Sequence, residues 1–310
     1  MSRWPALLVD DWDDTRATLH MWLQIVGKIR MAHAPLVNHW WQVPLYVSPR
    51  GLGTSTVPCG QSTFDIEFDF ITDTLRVRHS GGREGVVALE PKPVSQFYSE
   101  LTAVLAELGI PVAIRAVPNE VDPAVPFADD HENRSYDHDA VHLFWQQLTQ
   151  AARVLQLFRS SFAGKSSPVH FFWGGMDLAC TRFSGRPAPP HPGGVPNCPD
   201  WVMVEGYSHE LWSSGFWAGG SPEGSFYSYA YPEPEGYPAV SAGPPEASYR
   251  KDLGLFLLPY DAVRRSADPD ATVLEFLRST YEAAADAAGW DRSTLETDPG
   301  RLPPLAPRET

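Results

Sequence analysis

Five ionisable side chains interrupt an aromatic run between positions 165 and 186: Lys165, His170, Asp177, Arg182 and Arg186, set among Phe171, Phe172, Trp173 and Phe183. A strand that only fills a core has no use for such groups. Each must be paired, solvent-facing or aimed into a cavity, because burying an unpaired charge costs several kcal/mol or more. A second block follows at Glu205, Gly206, Tyr207, Ser208, His209 and Glu210, then Ser213, Ser214, Gly215, Phe216 and Trp217.

Two chemistries suit these residue types. In the first, His209 or His170 shuttles a proton and Glu210 or Asp177 orients it, since imidazole titrates near neutrality. Lys165, Arg182 or Arg186 then holds an anionic substrate group, with Trp173, Ser214 and Trp217 as further binding residues. In the second, His170, His209 and Glu205 ligate a transition metal, with His191, Asp177 or Glu210 as further donors. His138 and His142 stand four apart on a helical stretch and could face one ion, although histidines in a first helical turn are also common surface residues. The bland reading of all these groups is internal pairing: an Arg182–Asp177 ion pair, and a His209 bonded to backbone. Phe216, Trp217 and the run Phe226, Tyr227, Ser228, Tyr229, Ala230, Tyr231 could wall a pocket or fill a core. Residues 218–224 and 232–245 are long enough to act as lids.

Some motifs are absent. Gly164-Lys165-Ser166 lacks the GxxxxGK[ST] spacing and follows a helix rather than a strand, so Gly164 reads as a helix stop, not a phosphate loop. No GxSxG elbow occurs. Cys180, in an apolar strand, reads as an inert core thiol. The strings at 164–174, 181–186 (Thr-Arg-Phe-Ser-Gly-Arg), 208–210 (Ser-His-Glu) and 229–234 (Tyr-Ala-Tyr-Pro-Glu-Pro) resemble a bacterial family of unknown function, domain-of-unknown-function family 5996, over nearly the whole chain. The resemblance implies no substrate, cofactor or catalytic residue.

These residues need elements to hold them. Leu19, Trp22, Leu23, Val26 and Ile29 recur at helical spacing and predict a helix over 14–31 capped by Asp13 or Asp14. Strands follow at 40–48, 54–58, 64–70, 74–79 and 86–89, with Asp65, Glu67 and Asp69 facing water. A helix over 95–108 closes at Gly109, and 112–117 reads as a strand. Residues 118–137 are Pro-rich and acidic and form a connection, from which His131, Glu132, Arg134 and Tyr136 could reach a cleft. A helix over 139–162, strands at 169–183, 201–212, 226–231 and 253–258, and a helix over 269–288 complete the chain. Paired antiparallel, the strands at 169–183 and 201–212 would set His209 opposite Met176 or Asp177, with His170, Cys180, Arg182, Glu205 and His209 on one face and Asp177 and Glu210 on the other. Gly174 and Gly175 predict a bulge or a close approach.

The expected fold class is α+β, with antiparallel or mixed sheets and long flanking helices. The expected division is 1–120, a connection at 121–137, a site-bearing half at 138–296 and a loose tail at 297–310. Both halves run from a long helix through aromatic strands to a closing helix, an order that internal duplication or chance would produce. At 310 residues, 43% hydrophobic and 12% aromatic, the chain has ample core. A net charge of −14 with no basic stripe argues against nucleic acid. Cys59, Cys180 and Cys198 lie far apart without CxxC spacing and read as reduced thiols. No basic segment precedes the short apolar run at 4–9, and no apolar run approaches the roughly 20 residues of a membrane span, so no secretion signal and a cytoplasmic location are expected. The leading expectation is an enzyme acting on a small polar or anionic metabolite by acid–base or metal-assisted chemistry. The alternatives are a non-catalytic small-molecule-binding module with an aromatic pocket and an acidic interaction scaffold.

Overall fold

Two antiparallel six-stranded sheets and seven α-helices make up residues 4–298, the part of the chain that a computed structural model describes. The architecture is α+β. α1 (Asp13–His33) is buried on almost every side, including Gln24 and Lys28. Asp13 and Asp14 lie inside its first turn, where carboxylates favour the helix dipole, and the residue before it, Trp12, offers no side-chain cap.

The first sheet runs β1 (Tyr46–Val47), β2 (Gly51–Gly53), β4 (Ser62–Asp69), β5 (Thr74–His79), β6 (Glu84–Ala88), with β3 (Val57–Cys59) paired to β4. Trp40, expected in a strand, sits in a short 3-10 turn. The acidic residues of β4 do not face open water. Asp69 is 1% exposed beneath Arg50 and Arg76, and Arg78 binds both Asp65 and Glu67, because β5 and the β1–β2 turn supply arginines on that face. The other face packs on α2 (Val94–Leu108), where Phe97 lies between Trp22 and Phe68. Gly109 ends α2 in the left-handed conformation, φ 76°. Residues 112–117 form no strand.

α3 (His138–Arg159) is capped by the Asp137 carboxylate, which accepts from Ala140 N at 3.1 Å. It stops at Ser160, so Gly164 is not its cap. The second sheet has the order β11 (Ser248–Arg250), β12 (Leu255–Pro259), β10 (Ser225–Tyr231), β9 (His209–Trp217), β8 (Asp177–Pro187), β7 (His170–Phe172). The single strand expected at 169–183 is therefore a hairpin turning at 173–176. Residues expected to begin the next strand form α4 (Asp200–Gly206) instead. These two differences overturn the expected register. His209 lies opposite Pro187, and Asp177 opposite Trp217.

Alternation then divides the second sheet. Leu178, Cys180, Arg182, Trp212, Ser214 and Phe216 share an inner face against α3 and α6 (Pro269–Ala287), sealed by contacts such as Phe158 and Tyr281 on Trp212. Phe172, His170, Asp177, Thr181, Ser213, Gly215, Tyr227 and Tyr229 share the outer face. α1, α4 and the segment around residue 120 cover that outer face, and an isolated Leu45–Phe171 bridge ties the two sheets together. α5 (Tyr260–Arg265) and α7 (Arg292–Leu295) are short. No helix among the described residues is long and apolar enough to cross a membrane. The expected tail lies outside the described residues from position 299 onward.

Candidate functional site

The outer face of the second sheet carries a carboxylate that no cation among the described residues neutralises. Asp177 opens β8, and Tyr227 on β10 donates a 2.5 Å hydrogen bond to its Oδ2 across the intervening strand. That reach depends on Gly215, which lies opposite both Ala179 and Tyr227. A Cβ at position 215 would stand 2.6 Å from the Tyr227 hydroxyl and 1.8 Å from Leu178 O. Glycine here opens the path between two strands that do not touch.

A second carboxylate is brought in from far along the chain. Gln24 and Asn119 exchange two hydrogen bonds, side chain to backbone, of 2.7 and 2.8 Å, and Lys28 donates to Asn119 Oδ1. His20, one turn earlier on α1, lies 2.9 Å from Gly174 O. Residues 20, 24 and 28 form one polar stripe along α1, and it clamps the 118–121 segment onto the β7–β8 turn. Glu120 N donates to Pro196 O, and Glu120 adopts φ 60°, a backbone conformation that costs a non-glycine residue about 1 kcal/mol or more. Its carboxylate rests on Gly174, where a Cβ would meet Oε1 at 2.0 Å, while Asp177 Oδ1 rests on Gly175. The expected close approach at these two glycines is thus made by carboxylates.

Tyr207, Tyr229 and Tyr231 complete the wall. The Tyr207 and Tyr229 hydroxyls are 2.9 Å apart, and Tyr207 meets Tyr231 edge-on at 5.1 Å. His191 lies over Tyr207 at 4.6 Å. Asp177, Tyr207 and Tyr229 are half-buried and Glu120 is exposed, yet protein crowds all four, so they line a recess that water reaches.

Such surroundings disfavour charge. Desolvation pushes Asp177 up to about 6, against the bond from Tyr227 that favours its ionised form. Desolvation, then repulsion from Asp177, pushes Glu120 up to about 7. Burial also lowers Lys28 to about 8, with Arg115 adding to the effect. Near neutral pH the recess holds two adjacent carboxyls that titrate within the physiological range, the arrangement from which acid–base pairs are built.

The model of a family of unknown function, DUF5996, matches residues 4–297. The chain belongs to DUF5996. No curated protein and no solved structure matches it.

Of the residues that sequence reasoning picked in this DUF5996 chain, Asp177 and the tyrosine wall are in the recess. Others gather at a second cluster nearby, around a histidine that the sequence did not single out. His39, 5% exposed and at φ 57°, donates from Nδ1 to Gly206 O at 3.0 Å and accepts from Lys165 Nζ at 2.6 Å. Its backbone N–H donates to Glu205, and the His209 ring stands edge-on at 5.6 Å. Lys165 lies over the rings of Trp41 and Phe183, and desolvation lowers its pKa. With Trp40 Nε1 donating to Val202 O, these bonds pin α4 against the sheet.

The remaining picks go elsewhere. His170 is fully buried, and burial with the nearby Arg30 charge lowers its pKa to about 3, so it shuttles no proton at neutral pH. Arg182 faces the other side of the sheet, caged by Phe158, Phe162 and Tyr281 and bonded to Phe158 O and Ser161, so it neither pairs with Asp177 nor meets a substrate there. Arg186 and Glu210 form an ion pair, with Arg186 also covering the carbonyl of Ala288. Ser214 is spent on Tyr227 O, and Trp173 is packed on Gly27 with its Nε1 bonded to Val43 O. Trp217, the last residue of β9, shares the face of Asp177. Arg134 and Tyr136 line a groove with Lys92 and Pro93, Tyr136 donating to Asp73. His131 is bonded to Ser95.

The metal set does not assemble. His170 is on β7 against Phe172, Glu205 on α4 binds backbone, and His209 sits beside His39; no three His, Cys, Asp or Glu side chains converge as ligands among the described residues. His138 is taken by Asp73, 2.7 Å away, rather than aligned with His142 on an ion. Sequence reasoning missed Glu120 outright. Its only signal was an acidic residue in a proline-rich stretch, which carries no periodicity.

Proposed function

We propose that this protein is an enzyme that moves a proton on a small polar molecule, with Asp177 and Glu120 as the acid–base pair. The observation that carries this reading is the pairing itself: two carboxyls raised to about 6 and about 7, side by side on Gly174 and Gly175 in a recess water can reach. At neutral pH Asp177 is mostly ionised and accepts a proton, while Glu120 is about half protonated and donates one. Tyr227 holds the Asp177 carboxyl in place and answers its charge with a hydroxyl. Tyr207, Tyr229 and Tyr231 offer ring faces to an uncharged or cationic substrate, their hydroxyls being bonded to one another and to Pro189 O. The arginines expected to hold an anion are engaged elsewhere, so an uncharged or cationic molecule fits better than an anionic one.

The test is a proton-NMR screen of the wild-type protein against small polar metabolites in deuterated buffer, reading both conversion and solvent exchange. Turnover should be lost in Asp177→Asn and in Glu120→Gln while both remain folded. Turnover that survives both substitutions refutes the assignment. A ligand bound without conversion or exchange would favour a non-catalytic pocket, the reading the tyrosine wall also supports.

A further inference from the structure

The walls of the recess differ in how firmly they are held. β8, β9, β10 and α1 each bury a face, and α1 clamps residues 118–121. Residues 188–199, between the end of β8 and the start of α4, form neither helix nor strand, and not one of their side chains is buried. A stretch this long without secondary structure is uncommon in a compact fold and usually carries function. It touches the recess on two sides. Pro189 O accepts from the Tyr231 hydroxyl at 2.9 Å, and the His191 ring lies against Tyr207 and Tyr231. Further along, Pro196 O accepts from Glu120 N at 2.9 Å, Asn197 O accepts from the Asn119 side chain, and the Asn197 side chain donates to Val121 O. Gly193 and Gly194, at φ 75° and 86°, bend the chain between these two footholds. Prolines at 189, 190, 192 and 196 stiffen the pieces on either side and remove backbone donors that could fasten them. Asp177 and Tyr229 are half-buried yet crowded by protein, so the space they face is roofed rather than open.

We propose that residues 188–199 are a strap that lifts to admit substrate to the recess and closes over it. One end turns at Ala188, whose N–H is bonded to Ser208 O at 3.0 Å, and the other at Asp200, where α4 begins and is pinned by His39 and Trp40. The footholds between those ends are a few polar bonds and ring contacts without a buried apolar anchor, the low-stability construction from which lids are drawn. The inference rests on the recess being the functional site, and not on its acid–base chemistry.

Two adjacent amides separate motion of the strap from motion of the wall. Glu120 N–H is bonded to the strap, at Pro196 O, whereas Asn119 N–H is bonded to α1, at Gln24 Oε1, 2.8 Å away. In amide hydrogen exchange of the full chain followed by NMR, Glu120 should exchange about a hundredfold faster than Asn119 after correction for sequence, at a rate that low urea leaves unchanged. Equal protection of the two amides, or a Glu120 rate that climbs with urea in step with β9 and β10, overturns the proposal. Asn197→Gly suits the left-handed φ of 51° and removes one foothold, so it should speed Glu120 exchange about fivefold to tenfold and leave Asn119 as it was. Carbodiimide coupling of Asp177 to glycinamide, read by peptide mass spectrometry, should rise by a similar factor in that variant. A variant that changes neither rate overturns the proposal, as does one that speeds Glu120 exchange while coupling stays at the wild-type rate, since such a strap gates nothing. Neither readout needs turnover, so both stand or fall independently of the activity of Asp177→Asn and Glu120→Gln.

Discussion

Replacing Asp177 with Asn should stabilise the protein above neutral pH and leave it nearly unchanged in acid. The carboxyl's ordinary value is 3.8, and in the fold it rises to about 6. The folded state therefore binds this proton more tightly than the unfolded chain does, so wild-type stability falls as pH rises from about 4 through about 6, and the full penalty persists above that. At about 1.4 kcal/mol per tenfold change in proton affinity, the penalty approaches 3 kcal/mol, and access of water to the half-buried side chain reduces it to about 1–2 kcal/mol. Asn removes the charge but keeps an acceptor for the Tyr227 hydroxyl, so little is lost in exchange. Thermal unfolding followed by circular dichroism should show the variant melting about 2–5 °C above wild type at pH 8, with the gap closing toward pH 4. A variant that melts below wild type by the same margin at both pH values would refute the claim that Asp177 is held against its preference for charge.

Three further outcomes follow from the same geometry. Gly215→Ala should cost about 2 kcal/mol or more by urea unfolding, because a methyl group meets Leu178 O and the Tyr227 hydroxyl, and a normal midpoint would contradict the close crossing of strands. Asp177→Asn should lower the apparent pKa of Glu120, read by carboxyl carbon NMR, since the charge beside it disappears; an unmoved titration would mean that the two groups do not interact. Asp69→Asn should cost about 2 kcal/mol at pH 7, since Arg50 and two backbone N–H groups lose a charged acceptor. Because that carboxyl is held below its ordinary range, its contribution is present above pH 4 and fades as pH falls, and a loss independent of pH would count against the ion pair.

Amphipathic periodicity recovered every long helix. The stripe of Leu19, Trp22, Leu23, Val26 and Ile29 is α1, and the helices over 95–108 and 269–288 differ from α2 and α6 by about one residue at their ends. Periodicity failed where glycine and a left-handed residue reverse the chain without proline. Gly174, Gly175 and Met176, the last at φ 53°, turn a seemingly continuous aromatic strand into a hairpin, and that turn moves His170 away from the face of Arg182. The Asp200–Gly206 segment alternates no better as a strand than as about two helical turns, and its placement is decided by Trp40, His39 and Lys165 from elsewhere in the chain.

The sequence by itself determined that polar groups embedded among the rings of residues 165–231 needed a structural explanation, and that Asp177 was one of them. It also determined the α+β class, because helical and strand periods are local properties of the chain. Which groups would meet was decided only in three dimensions. Glu120 joins Asp177 through a stripe of His20, Gln24 and Lys28 nearly a hundred residues earlier, and Arg182 leaves the site because strand alternation turns it toward Tyr281. Long-range hydrogen bonds and sheet register made both choices, and neither has a signature in any stretch short enough to read by period.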